Sequence, residues 1–552
     1  MSVFGPLLGA ASPVDGHASA TSPHEPRREK SAIYKTRFAG VTWDNDLWQI
    51  TTTNLDQGHY QSRMSLSNGY LGINVASLGP FFDFDLPVDG DDINNWPLYD
   101  RRQAFATVAS FWDSDPTGVS LISGIPHWAG IYMTVNGDNL TSTTQASEIS
   151  KFSSQLDMKE GLMNWSFTWK PAQSSASFDV TYEMFLHRLD INQAFVHMTV
   201  TPSQASTVKF TNVIQGDCAV RSTFVSSGVD DDLLYTAVQP IGVSNVTAYI
   251  YTSLEGSPAL NSKPSLIGPS ELIGFNASSI GQSYYQPLMA GKPFTLTKYV
   301  GIASSDAFPD PQLTAKNAAT LAAKNGYKSS RASHEAEWAV VFPADSVDDF
   351  TDPRTGSLPD DAYIQEQAIL AVASPYYLLQ NTPSDNAIAA VSNAPIDDHS
   401  IAVGGLGSST YAGQIFWDAD LWMHPGLAAA FPSAARGIAN YRVNRLAQAR
   451  RNIAAGSSSS QKDKSFSANS AVFPWVSGRY GNCTAYGACF DYEYHLNGDI
   501  ATMLSNQYVI TGDEATFKDR DFPAIDALAN FFGDILTQEG DSYELTYMTD
   551  PV

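Results

Sequence analysis

A segment dense in acidic and aromatic side chains runs from Tyr411 to Pro425 and contains the run Phe-Trp-Asp-Ala-Asp-Leu-Trp. Asp418 and Asp420 stand two positions apart in it, and Trp417 precedes the first of them. A pyranose has apolar C–H faces that pack on aromatic rings, and a rim of hydroxyls that donate hydrogen bonds to carboxylates. The spacing therefore indicates a sugar-binding loop, with a buried aromatic turn as the alternative.

Three more side chains could take part in the same chemistry. Glu493 and His495 stand where a helix is predicted to begin, so Glu493 either caps that helix or contacts a substrate. Trp475, in the run Phe-Pro-Trp, either lines the same site or packs in the core. Asp418 and Glu493 as a general acid and base are a further alternative, because two carboxylates are formally sufficient for glycoside hydrolysis.

The composition predicts a folded protein of several domains. The chain has 552 residues, more than one hydrophobic core normally holds. Hydrophobic residues make up 43% of it and charged residues 16%, which is typical of a folded protein. Its net charge of −25 argues against nucleic acid or an anionic membrane as partner. No apolar run reaches the roughly 18 residues of a membrane span, and the N-terminus lacks the basic region of a convincing signal peptide.

The periodicity of apolar residues divides the chain into four parts and predicts a multidomain α+β fold. Residues 1–34 are predicted to be a disordered tail. In residues 35–308 apolar and polar side chains alternate with period two, which is typical of a large antiparallel β-sandwich. Residues 309–357 form helical patterns and are predicted to be a linker. Residues 358–552 combine helices with long aromatic loops, which favours roughly the first half of an α/α barrel with its site at one mouth.

Capping and breaking residues predict where individual helices begin and end. Asp361 is predicted to cap a helix that Pro375 ends or kinks, and Ser333 to cap the second helix of the linker. Residues 433–455 are predicted to form one continuous helix. The last predicted helix begins near Pro523.

The three cysteines predict no disulfide framework and no zinc site. Cys483 and Cys489 could bridge a short loop, which would leave Cys218 as a buried free thiol. An acidic run over residues 83–92 lacks the spacing of a calcium loop and is interpreted as solvated. The chain also contains five Asn-x-Ser/Thr sequons, at Asn139, Asn164, Asn245, Asn276 and Asn482.

Several long segments rich in rare residues carry a resemblance to a known family. They are Thr36–Asp44, Leu55–Arg63, Asn68–Gly72, Trp96–Arg102, Phe416–Trp422, Arg442–Arg450, Phe473–Trp475 and Glu493–Asp499. With these segments the chain resembles the fungal acid trehalases of glycoside hydrolase family 65, over nearly everything past the tail.

The resemblance implies a fold, a reaction and a set of site residues. It implies an N-terminal super-β-sandwich, a helical linker and an (α/α)6 barrel, and hydrolysis of α,α-trehalose to two glucoses with inversion, without metal or organic cofactor. It places Trp417 and Asp418 against the glucose next to the scissile bond. The predicted substrate-binding set also includes Asp420, Glu493, His495 and Trp475. The expected location is extracellular, in the cell wall or in the vacuole.

The resemblance also implies where the catalytic carboxylates belong. The general acid of these enzymes is a Glu within Thr-Asp-Pro-Asp-Glu-Tyr, and residues 549–551 match the beginning of that motif. The general acid is therefore expected just after Val552, no catalytic residue is expected within the chain, and the chain itself is predicted to be inactive.

Two other functions remain open at this stage. A non-catalytic carbohydrate-binding or assembly module is one alternative, and a disaccharide phosphorylase is the other. Helices of a half barrel would expose apolar faces, which predicts self-association.

Overall fold

The computed structural model describes residues 33–86, 102–116, 118–392, 394–456, 460–484 and 493–548. Some features named above lie outside these ranges: most of the predicted tail, Trp96 and Arg101, most of the acidic run, Cys489, and residues 549–552. Ile33 and Tyr34, which the sequence assigned to the tail, lie in the first strand.

The sheet-forming part of the chain extends from Ile33 to Ser304. Its strands are β1 Ile33–Lys35, β2 Val41–Asp44, β3 Gln49–Thr52, β4 Met64–Ser67, β5 Leu71–Val75, β6 Ala106–Val108, β7 Ile131–Val135, β8 Asp138–Leu140, β9 Ile149–Asp157, β10 Leu162–Trp169, β11 Phe178–Leu186, β12 Gln193–Pro202, β13 Ser206–Ile214, β14 Ser222–Asp230, β15 Leu233–Pro240, β16 Ala248–Ser257, β17 Ser265–Ile267, β18 Ile280–Leu288 and β19 Phe294–Ser304.

These strands form two large antiparallel sheets and a small one. The larger has eleven described strands in the order β1-β2-β3-β9-β10-β11-β12-β19-β16-β15-β14, and the second has the order β17-β18-β13-β7-β8. The two sheets pack face to face: Phe210 stacks on Phe294 with ring centroids 5.8 Å apart, and the Tyr182 hydroxyl donates to the carbonyl of Ile131 at 3.0 Å. The predicted large antiparallel, sheet-rich N-terminal part is confirmed.

The small sheet β4-β5-β6 connects this part of the chain to the helices. The turn between β4 and β5 contains Gly69, whose φ is +91°, and a Cβ there would lie 2.2 Å from the backbone nitrogen of Pro383. A Cβ at Gly72 would lie 2.2 Å from the carbonyl oxygen of Leu406. Only glycine allows the two backbones to approach this closely, so the Asn68–Gly72 segment is a contact between the sheets and the helical part.

The helical part follows from Pro311. Its elements are α1 Pro311–Asn325, α2 Tyr327–Val341, α3 Ala362–Leu379, α4 Asp385–Ala390, α5 His424–Ala428, α6 Pro432–Asn444, α7 Leu446–Gly456, α8 His495–Thr511, α9 Glu514–Thr516 and α10 Phe522–Ile535, followed by a hairpin of β20 Thr537–Glu539 and β21 Ser542–Glu544. Within the described ranges no helix combines the length and the apolar character that a membrane crossing requires.

Helix α1 lies against the eleven-stranded sheet, on the face opposite the second sheet. A Cβ at Gly301 of β19 would lie 2.0 Å from the carbonyl oxygen of Ala315, so α1 rests directly on the strand backbone. Helix α2 begins at Tyr327 with Gly326 before it. The predicted cap Ser333 is therefore wrong, because that residue lies within the second turn of a helix that begins six residues earlier.

The helix that begins after Asp361 does not end at Pro375. Asp361 accepts hydrogen bonds from the backbone N–H groups of Tyr363 and Ile364, which confirms the predicted cap. The helix then continues through Pro375 to Leu379. Burial of Tyr376 and Leu379 on the far side of the proline offsets the backbone hydrogen bond that proline cannot make.

The predicted single helix over residues 433–455 is wrong, since α6 and α7 are separate helices. The break lies at Arg445, which has φ −104° and ψ 6°. Its guanidinium packs over the ring of Tyr441, 3.8 Å from the ring centroid. The buried stripe continues across the break, with Ile438 before it and Ala449 after it, so the apolar periodicity carried no signal of the break.

A buried carboxylate in the larger sheet is expected to make the free energy of unfolding depend on pH. Asp157, at the end of β9, accepts hydrogen bonds from the backbone N–H groups of Lys159 and Glu160. Burial raises its pKa to about 6 from an ordinary value of 3.8. Because the folded state binds the proton more tightly than the unfolded state, this stabilisation is complete below pH 3.8 and is lost as the pH rises through 6.

Replacing Asp157 with asparagine should remove this dependence. We expect the free energy of unfolding of the wild type, relative to Asp157→Asn, to fall by roughly 2 kcal/mol between pH 4 and pH 7. Urea unfolding of both proteins across that range measures the difference, and a difference that stays constant with pH would contradict the assignment.

Candidate functional site

Three consecutive left-handed residues precede the acidic and aromatic segment. Tyr411, Ala412 and Gly413 have φ values of 51°, 55° and 63°. Non-glycine residues in this region cost of the order of 1 kcal/mol each and persist only where surrounding contacts hold them. The backbone then passes through Ile415, which exchanges two backbone hydrogen bonds with Ser477, at 2.9 and 3.0 Å.

The aromatic rings of the segment, called the aromatic cluster below, pack in two pairs. Phe416 meets Trp475 edge to face with ring centroids 5.4 Å apart, and Trp417 lies 5.7 Å from Trp422 by the same measure. Trp417 and Asp418 are partly buried, while the Trp422 side chain is 61% exposed. Residues Ala419–Met423 form a turn of π-helix, a feature frequent at functional sites. Aromatic surface beside a carboxylate is thus present at the surface of the helical part.

Asp420 does not share this exposed position. Its side chain is fully buried, and Arg442 of α6 donates to both carboxylate oxygens, at 3.0 Å from Nε and 2.5 Å from Nη2. Burial raises the pKa of Asp420, and Arg442 lowers it. Arg442 Nη2 also donates to the carbonyl of Phe416 at 3.2 Å. The sequence predicted a substrate contact for Asp420, but the buried ion pair makes it a residue that fixes the loop.

Glu493, His495 and Asp499 form a hydrogen-bonded group at the start of α8. His495 Nδ1 lies 2.7 Å from Asp499 Oδ2, and His495 Nε2 lies 3.1 Å from Glu493 Oε2. Both ring nitrogens face acceptor oxygens, so both hydrogen bonds form together when each nitrogen carries a proton. Burial raises the pKa of Asp499, and His495 lowers it.

This group is in contact with the aromatic cluster. The His495 ring meets Trp417 edge to face, with centroids 5.4 Å apart and planes at 88°. The structure therefore brings three of the six predicted site residues into contact: Trp417, Glu493 and His495. Asp418 follows Trp417 in the chain, and Trp475 contacts Phe416, the residue before it. Trp475 Nε1 is buried and has no hydrogen-bond partner in the part of the chain that the structure describes.

The sequence did not assign a role to Asp499 or to the pairing of Asp420 with Arg442. The spacing of His495 and Asp499, four residues apart on a predicted helix, places them on one face and could have identified the pair. No group of three or more side chains suited to hold a metal ion is found among the described residues.

The cysteines occupy two different environments. Cys218 is a buried free thiol, as predicted, and burial raises its pKa. Cys483 is disulfide-bonded. The next residue, Thr484, is buried and donates to the carbonyl of Ser120 at 2.9 Å, so this segment too is attached to the sheet-forming part.

Comparison with known proteins relates the chain to a family of carbohydrate-active enzymes. Residues 50–341 match the model of the N-terminal domain of glycosyl hydrolase family 65, and residues 388–551 match that of its central catalytic domain. A cell wall acid trehalase of Arthroderma benhamiae is 49% identical over 532 residues, covering 94% of this chain and 50% of that protein. An acid trehalase of Emericella nidulans is 47% identical over 539 residues, covering 95% and 51%.

A solved structure shares the fold. A putative kojibiose phosphorylase from the human microbiome superposes with a TM-score of 0.65 at 14% identity, covering 93% of this chain and 62% of that one. The chain spans about half the length of the two curated relatives.

Proposed function

This chain belongs to glycosyl hydrolase family 65, and from that premise we propose that it carries the glucose-binding wall of a site that hydrolyses α,α-trehalose. The proposal includes a finer description of the fold. Residues 35–308 form the β-sandwich, residues 309–357 form the linker, and the helices from residue 358 form about the first half of an (α/α)6 barrel.

The observation that carries the proposal is the cluster around Trp417. In it Trp417 contacts Trp422 and His495, the carboxylate of Asp418 follows Trp417 in the chain, and Phe416 before it contacts Trp475. An apolar ring face suits the C–H face of glucose, and the carboxylate suits its hydroxyls. Among the described residues, no arginine or lysine belongs to this set of groups, which suits a neutral sugar better than an anion.

Each residue of the site has a distinct role in the proposal. Trp417 packs on the glucose ring, and Asp418 accepts from two of its hydroxyls. Trp475 supports Phe416, the residue that precedes Trp417. Glu493 and His495 border the sugar and hold the Trp417 ring from the side, with Asp499 behind them. Asp420 and Arg442 form a buried ion pair that fixes the loop carrying Trp417 and Asp418.

The reaction is proposed for the whole protein. Inverting hydrolysis requires a general acid at the glycosidic oxygen and a general base that activates water on the opposite face, about 6.5–9.5 Å apart. Neither role is assigned to a described residue of this chain. The sugar wall would hold the glucose in place while these two groups act.

Location and association are further parts of the proposal. The name of the Arthroderma benhamiae relative, a cell wall acid trehalase, supports a place in the cell wall. Of the five sequons, Asn139 and Asn245 are exposed and suit glycan attachment. Val509 and Phe522 expose 77% and 51% of their surface on the helical part, and self-association through such side chains stays a prediction.

An assay of the whole protein separates this function from its rivals. Incubation with trehalose at acid pH should release glucose at the same rate with and without inorganic phosphate. Turnover only with phosphate, giving a glucose phosphate, would identify a disaccharide phosphorylase. Trehalose binding without any turnover by the whole protein would favour a non-catalytic binding module.

A further inference from the structure

The sheet-forming part of the chain donates hydrogen bonds to the left-handed turn at residues 411–413, which precedes the proposed sugar-binding segment. The indole Nε1 of Trp112 donates to the carbonyl of Gly413 at 3.0 Å, and the backbone N–H of Ile122 donates to the carbonyl of Ala412 at 2.9 Å. Both donors lie on the segment between β6 and β7, some 300 residues away in sequence. Two of the three left-handed residues are therefore held by hydrogen bonds from the other part of the chain.

The backbone of the turn lies so close to the segment between β6 and β7 that only glycine fits at position 413. A Cβ at Gly413 would lie 2.5 Å from the Cβ of Ile122. The next side chain, Gln414, is buried and donates to the carbonyl oxygens of Ser120 and Thr484, at 3.3 and 3.1 Å. Every residue from Ala412 to Gln414 is thus tied to the segment that contains Trp112.

That segment is itself anchored. Trp112 and Ile122 pair as an antiparallel bridge. Arg479 donates to the carbonyl of Trp112 at 2.8 Å and to Asp306 with both terminal nitrogens, at 2.6 and 3.1 Å. Asp113 accepts from the backbone N–H of Leu121 at 2.8 Å and pairs with Arg221. The segment can therefore resist the tendency of the turn to relax.

Few residues separate the left-handed turn from Trp417 and Asp418. Ile415 is fixed by its two hydrogen bonds to Ser477, and the next residue, Phe416, packs on Trp475. Trp417 and Asp418 follow immediately. A rotation of the backbone at residues 411–413 would also displace Ile415 from its pairing with Ser477, and so would change the direction in which Trp417 and Asp418 point.

We propose that Trp112 is a positioning residue of the sugar site: its hydrogen bond to Gly413 holds the left-handed turn that aims Trp417 and Asp418. The inference rests on the proposed function only for its effect on trehalose affinity. Its structural part, that Trp112 restrains residues 411–423, is independent of the ligand. A role confined to core packing is the alternative, because Trp112 is almost fully buried.

A matched pair of variants distinguishes positioning from packing. Trp112→Phe keeps an aromatic ring and removes the donor. Trp165→Phe removes an equivalent buried donor, whose Nε1 binds the carbonyl of Ser77 at 3.1 Å within the sheet-forming part. Loss of one hydrogen bond should lower the melting temperatures of both variants by similar amounts.

Hydrogen exchange followed by mass spectrometry gives the first readout. Amides of peptides covering 411–423 should exchange about fivefold faster in Trp112→Phe than in the wild type, and at the wild-type rate in Trp165→Phe. Unchanged exchange in Trp112→Phe, or equal acceleration in both variants, would overturn the proposal. Should Trp112→Phe fail to fold, Arg479→Lys, which weakens the anchor of the same segment, is measured in its place.

Calorimetric titration with trehalose gives the second readout. Affinity should fall about fivefold in Trp112→Phe and remain at the wild-type value in Trp165→Phe. If the wild type binds trehalose and Trp112→Phe binds it equally well, the proposal is overturned. If the wild type does not bind trehalose at all, the proposed function fails, and the exchange experiment alone decides whether Trp112 restrains the turn.

Discussion

Replacing Asp418 with alanine is expected to weaken trehalose binding by about 100-fold and to leave the melting temperature nearly unchanged. In the proposed site the carboxylate accepts hydrogen bonds from two glucose hydroxyls, and hydrogen bonds to a charged group contribute roughly 1.5–3 kcal/mol each. Every 1.4 kcal/mol is a tenfold change in affinity. The side chain is only partly buried, so its removal costs little folding free energy. Calorimetric titration and thermal unfolding measure the two effects.

Two control variants make this result specific. Asp526→Ala removes an exposed carboxylate from α10, outside the aromatic cluster, and should bind trehalose like the wild type. Asp418→Asn keeps the shape of the side chain and removes its charge, so its affinity should lie between those of the wild type and the alanine variant. Equal affinity of Asp418→Ala and the wild type would remove Asp418 from the proposed site.

Replacing Arg442 with methionine is expected to give the largest loss of stability among these variants. Removal of one partner of a buried ion pair typically costs about 3–5 kcal/mol, because the other charge stays buried without compensation. Here Asp420 would be left in a fully buried position. Without the arginine, burial would raise the pKa of Asp420 further, so the variant should recover stability at low pH and lose it as the pH rises. Urea unfolding at pH 4 and pH 7 tests both statements.

A double variant and a surface variant complete that experiment. Arg442→Met combined with Asp420→Leu replaces both charges and should be more stable at pH 7 than Arg442→Met alone. Arg451→Met changes an exposed arginine and should have almost no effect. If the single and the double variant were equally destabilised, packing around Arg442 rather than its charge would be the cause.

Local patterns predicted the elements of this fold better than their arrangement. In β11 the buried Phe178, Val180 and Tyr182 alternate with the exposed Asp179 and Thr181, so the period of two identified the strand directly. The order of the sheet was beyond such reasoning, because β3 pairs with β9 and β12 with β19 across long stretches of chain. The break at Arg445 was missed because the apolar periodicity continues across it. The hairpin β20–β21 was also missed, although its two-residue turn, Gly540-Asp541, is a local hairpin signal.

The candidate site shows a similar limit. The aromatic and acidic composition of the segment identified Trp417 and Asp418, and the start of α8 identified Glu493 and His495. Asp420 has the same residue type as Asp418, yet its position in the π-helical turn directs it to Arg442 in the interior. The contribution of Trp112 could not be predicted, because it depends on two parts of the chain about 300 residues apart.

A calorimetric titration of trehalose into this chain at acid pH tests the proposed glucose-binding residues most directly. We expect saturable binding at one site, with a dissociation constant of the order of 1 mM, a free energy of about 4 kcal/mol. We also expect the heat of binding to disappear in Asp418→Ala. Heats no larger than those of dilution with the wild-type chain, or the same binding curve with Asp418→Ala, would contradict the claim that Trp417 and Asp418 form the glucose-binding wall.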